Sequence, residues 1–127
     1  MVTDVAETVE FYEDVLGFEV VMAVSETEDE IRTDCRGDDG VVYAQMKNGG
    51  VEIMVQKSES LKDDVPAFAD ASVGGSVCLY IETENVDEFY DETKADVEVV
   101  TAPTTAWYGM REYYIRDNNG YVLGFAE

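Results

Sequence analysis

An internal repeat is the feature that most constrains how this chain can fold. Residues 4–21 and residues 85–100 each contain a helix-like segment followed by a run of β-branched residues. In the first copy, apolar residues recur with the spacing of one helix face, at Val5, Val9, Tyr12 and Leu16. A unit that returns after about 80 residues is too widely spaced for a solenoid, so the repeat predicts two halves of one domain.

Both predicted helices begin with the same capping signal. Asp4 and Asn85 stand where an N-cap residue accepts a backbone N–H, and Glu7 and Glu88 follow them by three residues, as in a capping box. Gly17 stands where a residue in the left-handed conformation would end the first helix. We therefore predict hydrogen-bonded caps at both helix starts.

Strand signals complete each half. Segments rich in β-branched and aromatic residues predict strands at residues 18–24, 41–46, 51–56, 76–83, 97–101, 110–116 and 121–126. The polar residues 25–40 predict a loop or a hairpin end, with a turn at Asp39-Gly40. The predicted fold class is α+β, with two β-α-β-β-β modules. They form a single domain in which the first module covers residues 1–57, the linker residues 58–75 and the second module residues 76–127.

The first module lacks most of its first strand. Three residues precede Asp4, whereas residues 76–83 supply a whole strand before the second helix. We therefore expect Met1 to be an internal methionine or a late start, with an alternating apolar segment encoded upstream. Without that strand, its neighbour would keep an edge of unpaired N–H and C=O groups.

The charge of the chain excludes one class of partner. It carries 29 Asp and Glu residues against 8 Lys and Arg and no His, for a formal net charge of −21. Such a chain repels a polyanion, so we predict no binding to nucleic acid. Because the acids are spread along the whole chain, a surface adapted to high salt is favoured over an acidic mimic of nucleic acid.

The cysteines and the hydropathy indicate a cytoplasmic protein. Cys35 and Cys78 are isolated, without a zinc-binding spacing or the framework of a disulfide-rich domain. The sequence shows neither a signal-peptide pattern nor an apolar run of membrane-spanning length. We therefore expect a cytoplasmic location and no association with membranes.

Two motifs resemble a known superfamily. They are TVEFYEDVLGF at residues 8–18 and WYGMREYYIRDNNGY at residues 107–121. Both are similar to motifs of the vicinal oxygen chelate superfamily, which includes glyoxalase I, bleomycin resistance proteins and extradiol dioxygenases. The second resembles the bleomycin resistance branch, with Asn118 in place of its Pro. The resemblance implies curved sheets that enclose a cavity, and a homodimer.

The resemblance also implies four metal-ligand positions, from which this chain departs. The first falls before Met1, the second is Glu52, the third is Cys78 and the fourth is Gly124. Transition metals need about three or four donors and favour imidazole, so we predict no metal and no cofactor. A remnant site made of Glu52 and the Cys78 thiolate is the alternative, although a buried Cys usually behaves as a small hydrophobe.

Strand alternation predicts which side chains face the implied cavity, provided that the second and third ligand positions do so. The ligand-binding residues predicted in this way are Glu52, Met54, Cys78, Tyr80, Glu112 and Tyr114. The resemblance adds Trp107 and Tyr108, which stand where the family closes its pocket. Aromatic walls with carboxylates suit a flat or cationic organic molecule. In the alternative interpretation, the tyrosines only pack on the sheet face and the acids are solvated at an open rim. Arg111 and Glu112 are expected to form a cross-strand ion pair and not a catalytic pair.

The predicted function is the metal-free binding of an aromatic or cationic small molecule in a dimeric cavity, as in a glyoxalase- or bleomycin-resistance-like protein. A chain without His cannot build a Ser-His-Asp or Cys-His catalytic site. A metal-dependent lyase, isomerase or dioxygenase of the same superfamily is the alternative, because one fold hosts both functions. Glu52 is an open candidate for a general base in such an enzyme. A third interpretation is a domain that only dimerises.

Overall fold

A computed structural model describes residues 1–38 and 40–127, which form two compact units, Met1–Val73 and Gly74–Glu127. The turn predicted at Asp39-Gly40 includes Asp39, which lies outside the described residues. Each unit packs an α-helix on a four-stranded sheet. The predicted α+β class is therefore confirmed.

The first unit contains two helices, one sheet and a short 3-10 turn within its described residues. Its elements are α1 (Val5–Asp14), β1 (Glu19–Ser25), β2 (Glu28–Arg32), β3 (Val41–Asn48), β4 (Val51–Gln56), α2 (Ser58–Asp64) and the 3-10 turn (Pro66–Phe68). The strands lie in the order β2-β1-β3-β4, with all neighbours antiparallel. Val2 adds an isolated parallel bridge to Lys57, directly after β4.

Helix α1 forms as its capping and apolar spacing predict. Asp4 Oδ1 accepts the backbone N–H of Glu7 at 2.9 Å, which confirms the first predicted cap. All four residues of the apolar stripe are buried, against β3 residues Ala44 and Met46 that are also fully buried. Gly17 follows the helix with φ +68°, a conformation that favours glycine. The apolar faces of α1 and of the sheet thus form the core of this unit, and each large buried side chain contributes about 1.5–3 kcal/mol.

The second unit has the predicted β-α-β-β-β order. Its elements are β5 (Cys78–Glu82), α3 (Val86–Thr93), β6 (Glu98–Thr105), β7 (Arg111–Arg116) and β8 (Val122–Ala126). The strands lie in the order β5-β8-β7-β6, with β5 parallel to β8 and the other neighbours antiparallel. Helix α3 packs over β6 and β7.

Tyr113 is at the centre of the second core. Its side chain is fully buried, and its ring lies edge-on to Phe89 and Tyr90 of α3, with centroid distances of 6.2 and 5.2 Å. The Tyr113 hydroxyl lies 3.3 Å from Thr93 Oγ1 at the end of the helix. This contact gives the buried phenol a hydrogen-bond partner, as a buried polar group requires.

The second predicted cap is wrong. Asn85 precedes α3 but adopts the left-handed conformation, with φ +57°, and its side chain makes no capping hydrogen bond. A side-chain N-cap requires an extended backbone, such as that of Asp4, to aim its oxygen at the first turn. Asn is one of the few residues that tolerate the left-handed conformation. Asn85 therefore suits the backbone conformation at this position, although its side chain does not cap the helix.

The strand order confirms the predicted repeat. In the second unit the first strand lies beside the fourth, which is followed by the third and the second. In the first unit β4, β3 and β1 follow in the order of β8, β7 and β6, whereas β2 lies beyond β1 and has no counterpart in the second unit. Val2 bridges in parallel at the end of β4, where the second unit has β5. Within the described residues, this bridge is all that stands in the first-strand position, as predicted for a module lacking most of that strand.

Two segments are more structured than the sequence indicates. Residues 25–40, predicted as a loop or hairpin end, contain β2, which pairs with β1 through Ala23 and Arg32. Residues 58–75, predicted as a linker with a short turn of helix around Phe68, contain that turn at Pro66–Phe68 and, in addition, the helix α2. Strand β6 also extends to Thr105, beyond the predicted end at residue 101. None of the helices in the described residues has the length and apolar character that crossing a bilayer requires.

Candidate functional site

Three tyrosine hydroxyls surround one buried carboxylate in the second unit, and we call this group the Glu112 cluster. Tyr80 donates a hydrogen bond to Glu112 Oε1 at 2.7 Å, and Tyr108 donates to the same oxygen at 2.5 Å. Tyr114 donates to Oε2 at 3.2 Å. Four of the residues predicted to bind a ligand therefore form one hydrogen-bonded group.

The strand register brings the cluster together. Gly124 of β8 pairs with Tyr80 of β5 on one side and with Tyr114 of β7 on the other. Paired residues project to the same face of a sheet, and Glu112 shares that face because it lies two residues before Tyr114. The loop between β6 and β7 supplies Tyr108. Side chains from three separate elements thus converge on one carboxylate.

Gly124 leaves the space that the Tyr114 ring occupies. A Cβ atom at position 124 would lie 2.6 Å from Tyr114 Cε1 and 3.0 Å from Cδ1, closer than real Cβ contacts. Sequence reasoning treated Gly124 only as a lost metal ligand and missed this role. The cross-strand pairing of Gly124 with a tyrosine was the signal that could have indicated it, but it depends on the register of β7 and β8.

The Glu112 carboxylate is held ionised by neutral donors. Its exposed fraction is 5%. Hydrogen bonds from Tyr108 and Tyr80 lower the pKa of Glu112 despite the opposing effect of burial, and Tyr114 adds to the lowering. Among residues 1–38 and 40–127, no Lys or Arg forms an ion pair with it. The cluster therefore carries a negative charge that the described part of the chain does not neutralise.

The same contacts make the phenols weaker acids. The hydrogen bond to Glu112 raises the pKa of Tyr108 to about 12, with burial and the carboxylate charge acting in the same direction. The pKa of Tyr80 is also raised, chiefly by its hydrogen bond to Glu112. Burial is the main cause of the raised pKa of Tyr114, and Glu112 adds to it. At neutral pH all three tyrosines are hydrogen-bond donors.

An exposed aromatic pair extends from the cluster. The Trp107 side chain is 94% exposed, and its ring lies edge-on to Tyr108 with centroids 5.3 Å apart. The tight turn that carries both has Gly109 at φ +98° and is closed by the N–H of Ala106, which donates to the carbonyl of Met110 at 2.8 Å. Because Tyr108 contacts both Trp107 and the carboxylate, an aromatic surface and a negative charge lie side by side.

Two expectations about neighbouring residues are wrong. Arg111 does not pair with Glu112, because its guanidinium binds Asp87 at 2.6 and 3.0 Å. Strand alternation separates them, since adjacent residues of β7 project to opposite faces. Cys78 is an exposed free thiol and not a buried hydrophobe, because it begins the outermost strand of the sheet. Its predicted contact with a ligand stays a prediction.

The remaining predicted residues belong to the first unit. Glu52 accepts a hydrogen bond from Gln45 Nε2 at 3.3 Å, and Met54 is 63% exposed on the same face of β4. Val55 faces the opposite side and is buried. The predicted alternation therefore holds for Met54 and Val55, whereas Val51, expected on the buried face, is 45% exposed. A ligand at Glu52 and Met54 stays a prediction.

The residues at the implied metal-ligand positions do not fit a transition metal. Gly124 has no donor atom, and the Tyr114 ring fills the space beside it. Glu52, at the second position, accepts a hydrogen bond from the Gln45 side-chain amide, and Cys78, at the third position, is an exposed free thiol. Within residues 1–38 and 40–127, no group of three or more Cys, Asp or Glu side chains is arranged to hold a metal ion. Zinc-type sites require about three or four such donors.

Comparison with protein families agrees with this fold and these motifs. Residues 1–125 match the family model described as Glyoxalase/Bleomycin resistance protein/Dioxygenase superfamily. The chain therefore belongs to the glyoxalase/bleomycin resistance protein/dioxygenase superfamily. A search of curated proteins found no match.

Solved structures of the same superfamily share the fold. A member from Sphaerobacter thermophilus DSM 20745 is 19% identical with a TM-score of 0.74, over 100% of this chain and 90% of that one. A glyoxalase-related enzyme from Fulvimarina pelagi is 16% identical with a TM-score of 0.72, over 98% and 81%. The bleomycin-binding protein of Streptomyces verticillus, complexed with copper(II)-bleomycin, is 22% identical with a TM-score of 0.60, over 98% and 87%. At these identities the similarity establishes the fold.

Proposed function

We propose that this protein binds a cationic, aromatic organic molecule at the Glu112 cluster and does no chemistry on it. The observation that carries the proposal is the Glu112 carboxylate, which is buried, ionised and without a basic partner among the described residues. A buried charge is costly unless something compensates it, and a ligand cation would add to the three hydroxyl groups that now do so.

The aromatic side chains support the cationic part of the proposal. Tyr80 and Tyr108 are about half exposed although each hydroxyl is bound to the carboxylate, and Trp107 is almost fully exposed. The face of an aromatic ring attracts a cation, and Trp does so most strongly. A flat ligand with an ammonium or similar group would stack on Trp107 and place its charge near Glu112.

A neighbour of the same fold supports a binding role. The Streptomyces verticillus protein is a bleomycin-binding protein, and its structure holds copper(II)-bleomycin. We infer from this relationship a small-molecule ligand for the present chain, without carrying over the ligand itself. The ligand class proposed here comes from the Glu112 cluster.

The proposed site uses neither a metal nor a cofactor. This part of the proposal is supported by the residues at the implied metal-ligand positions, since Gly124 has no donor side chain and the Tyr114 ring fills the space beside it. Elemental analysis of protein purified without a chelator tests this part. Stoichiometric Zn, Ni or Fe would instead favour the metal-dependent enzymes of the superfamily.

We further propose that the chain forms a homodimer and that Glu52, Met54 and Cys78 contact the ligand. The resemblance of its motifs to the superfamily supports the dimer, because homodimers are usual there. Light scattering coupled to gel filtration would test the dimer. A cytoplasmic location also stays a proposal, which cell fractionation would test.

The intrinsic fluorescence of the protein offers a direct test of binding. Trp107 is the sole tryptophan, so a ligand stacked on it should quench the emission. We would titrate with benzyltrimethylammonium and with benzyl alcohol, which share the ring but differ in charge, at constant ionic strength. Saturable quenching is expected with the cation, together with a raised melting temperature.

Matched variants connect this signal to the cluster. Glu112→Gln should weaken binding of the cation by about tenfold or more, because a charge–charge contact becomes a charge–dipole contact. Asp91→Asn removes the same charge from an exposed residue of α3 that pairs with Lys94, and it should leave the affinity unchanged. Equal affinities in all three proteins, or equal binding of the neutral alcohol, would contradict the proposal.

A further inference from the structure

The basic residues of this chain are few, and most of them are used in ion pairs. The sequence has eight Lys and Arg residues among 29 acidic ones. Within the described residues, six of them pair with a carboxylate: Arg32, Arg36, Lys47, Lys94, Arg111 and Arg116. The two that form no ion pair with any side chain the structure describes, which leaves out residues 28–30 and 39, are Lys57 and Lys62.

Both unpaired lysines line the same cavity in the first unit. The cavity has a volume of about 420 Å³, and its walls are formed by Thr3, Lys57, Ser58, Glu59, Lys62 and Val73. Both lysine side chains are half-buried. In a chain with a net charge of −21, two lysines that line one cavity and form no ion pair with a described carboxylate are unusual.

The backbone explains how the two lysines meet. Val2 bridges to Lys57, its N–H donating to the carbonyl of Gln56 and its carbonyl accepting from Ser58, both at 2.9 Å. Helix α2 then begins at Ser58, directly after Lys57. Lys62 lies about one turn after Ser58 and on the same helix face as Ser58. A strand bridge and a helix turn thus hold both side chains at one opening.

Nearby acids do not neutralise the pair. Asp64 accepts a hydrogen bond from Gln56 Nε2 at 2.7 Å, and this amide also donates to Ser60. Glu59 lines the cavity but forms no ion pair with either lysine. Both ammonium groups are therefore available to an anion that enters the cavity.

We propose that the cavity lined by Lys57 and Lys62 binds a small organic anion carrying a carboxylate or phosphate group. Its volume falls in the range of small-molecule sites, about 300–1,000 Å³. The ammonium groups of the two lysines supply donors for anionic oxygens. Val73 supplies an apolar wall for a short carbon chain. This site is built from residues of the first unit and takes a ligand whose charge is opposite to that of the ligand proposed for the Glu112 cluster.

The test is an NMR titration of the intact, isotope-labelled chain. Inorganic phosphate and succinate would be added separately, with sodium chloride adjusted to keep the ionic strength constant. We expect saturable shifts of the backbone amides of residues 57–62 with at least one of the two probes. A response to one probe identifies the anion class, whereas unsaturated shifts with both would overturn the proposal.

Variants decide whether the lysines bind the anion. Lys57→Met and Lys62→Met keep an apolar stem in place, and each should weaken binding by about tenfold, the effect of losing a charged hydrogen bond. Lys94→Met removes a lysine that is already paired with Asp91 and should have no effect. Glu59→Gln should tighten binding, because it removes a repelling charge. Unchanged affinity in both cavity lysine variants would overturn the proposal.

Discussion

The ring of Tyr114 lies where a side chain at position 124 would begin, since an added Cβ atom would be 2.6 Å from Tyr114 Cε1. Gly124→Ala should therefore destabilise the protein. The clash costs about 1–3 kcal/mol, which exceeds the roughly 0.5–1 kcal/mol by which Ala improves on Gly inside a strand. Urea denaturation measures the difference.

A double-mutant cycle separates the clash from other effects of the substitution. In a Tyr114→Ala background the ring is gone, so Gly124→Ala should become neutral or slightly stabilising. A change of sign between the two backgrounds is the expected result. The same destabilisation in both would mean that the Tyr114 ring is not what requires glycine at this position.

The tyrosines of the Glu112 cluster should lose their protons at a higher pH than an ordinary tyrosine. Tyr108 should lose its proton near pH 12 and not near its ordinary value of 10.0. Because the pKa is raised in the folded state, its contribution to stability is complete below about pH 10 and is lost as the pH rises towards 12. Ultraviolet difference spectra in alkaline solution report the ionisation, and denaturation at each pH reports the stability.

Glu112→Gln is the matching variant for this titration. It removes the carboxylate charge, so the pKa of Tyr108 should fall towards 10.0 and the alkaline loss of stability should shrink. The pKa of Glu112 is lowered by folding, so the wild-type contribution is present above its ordinary value of 4.5 and is lost at acid pH. The variant should therefore also lose part of the acid dependence. An unchanged phenol titration would contradict the hydrogen bonding of the cluster.

The two thiols should react at very different rates. Cys78 is exposed, whereas Cys35 is 2% exposed and its pKa is raised to about 11 by burial and by neighbouring carboxylates. Because the thiolate is the reactive form, a disulfide reagent at pH 8 should label one thiol per chain quickly and the other only in denaturant. Cys78→Ser should abolish the fast phase and Cys35→Ser should preserve it.

Salt should stabilise this protein. Raising KCl from 0.1 to 1 M shortens the screening length from about 10 to about 3 Å and weakens the repulsion among the excess acids. It also weakens the exposed ion pairs, but each of those is worth only about 0–1 kcal/mol. The melting temperature should therefore rise by several degrees, and a fall would mean that the ion pairs outweigh a net charge of −21.

Local patterns determined the helices and strand faces that depend on neighbours along the chain. The stripe from Val5 to Leu16 is buried and Asp4 caps its helix, because both features depend on spacings of three and four residues. Strand alternation likewise separates buried Val55 from exposed Met54. The predicted cap at Asn85 failed, because the left-handed backbone at this position could not be inferred from residue type.

Tertiary packing decided which strands of the second sheet are covered by the helix. Alternation puts Val77 and Leu79 on the face opposite to Cys78 and Tyr80, where core residues would be expected. They are nevertheless 56% and 42% exposed, because α3 packs over β6 and β7. Residue type cannot specify which strand a helix covers, since that depends on the packing of the whole unit.

The residues of the candidate site were identified from the sequence, but their relationship was not. Alternation placed Tyr80, Glu112 and Tyr114 on one face, because side chains of a strand repeat every two residues. Only the tertiary structure joined them, by setting Gly124 between β5 and β7 and turning three hydroxyls to one carboxylate. The register between distant strands is fixed by packing and backbone pairing, which no short stretch of sequence encodes.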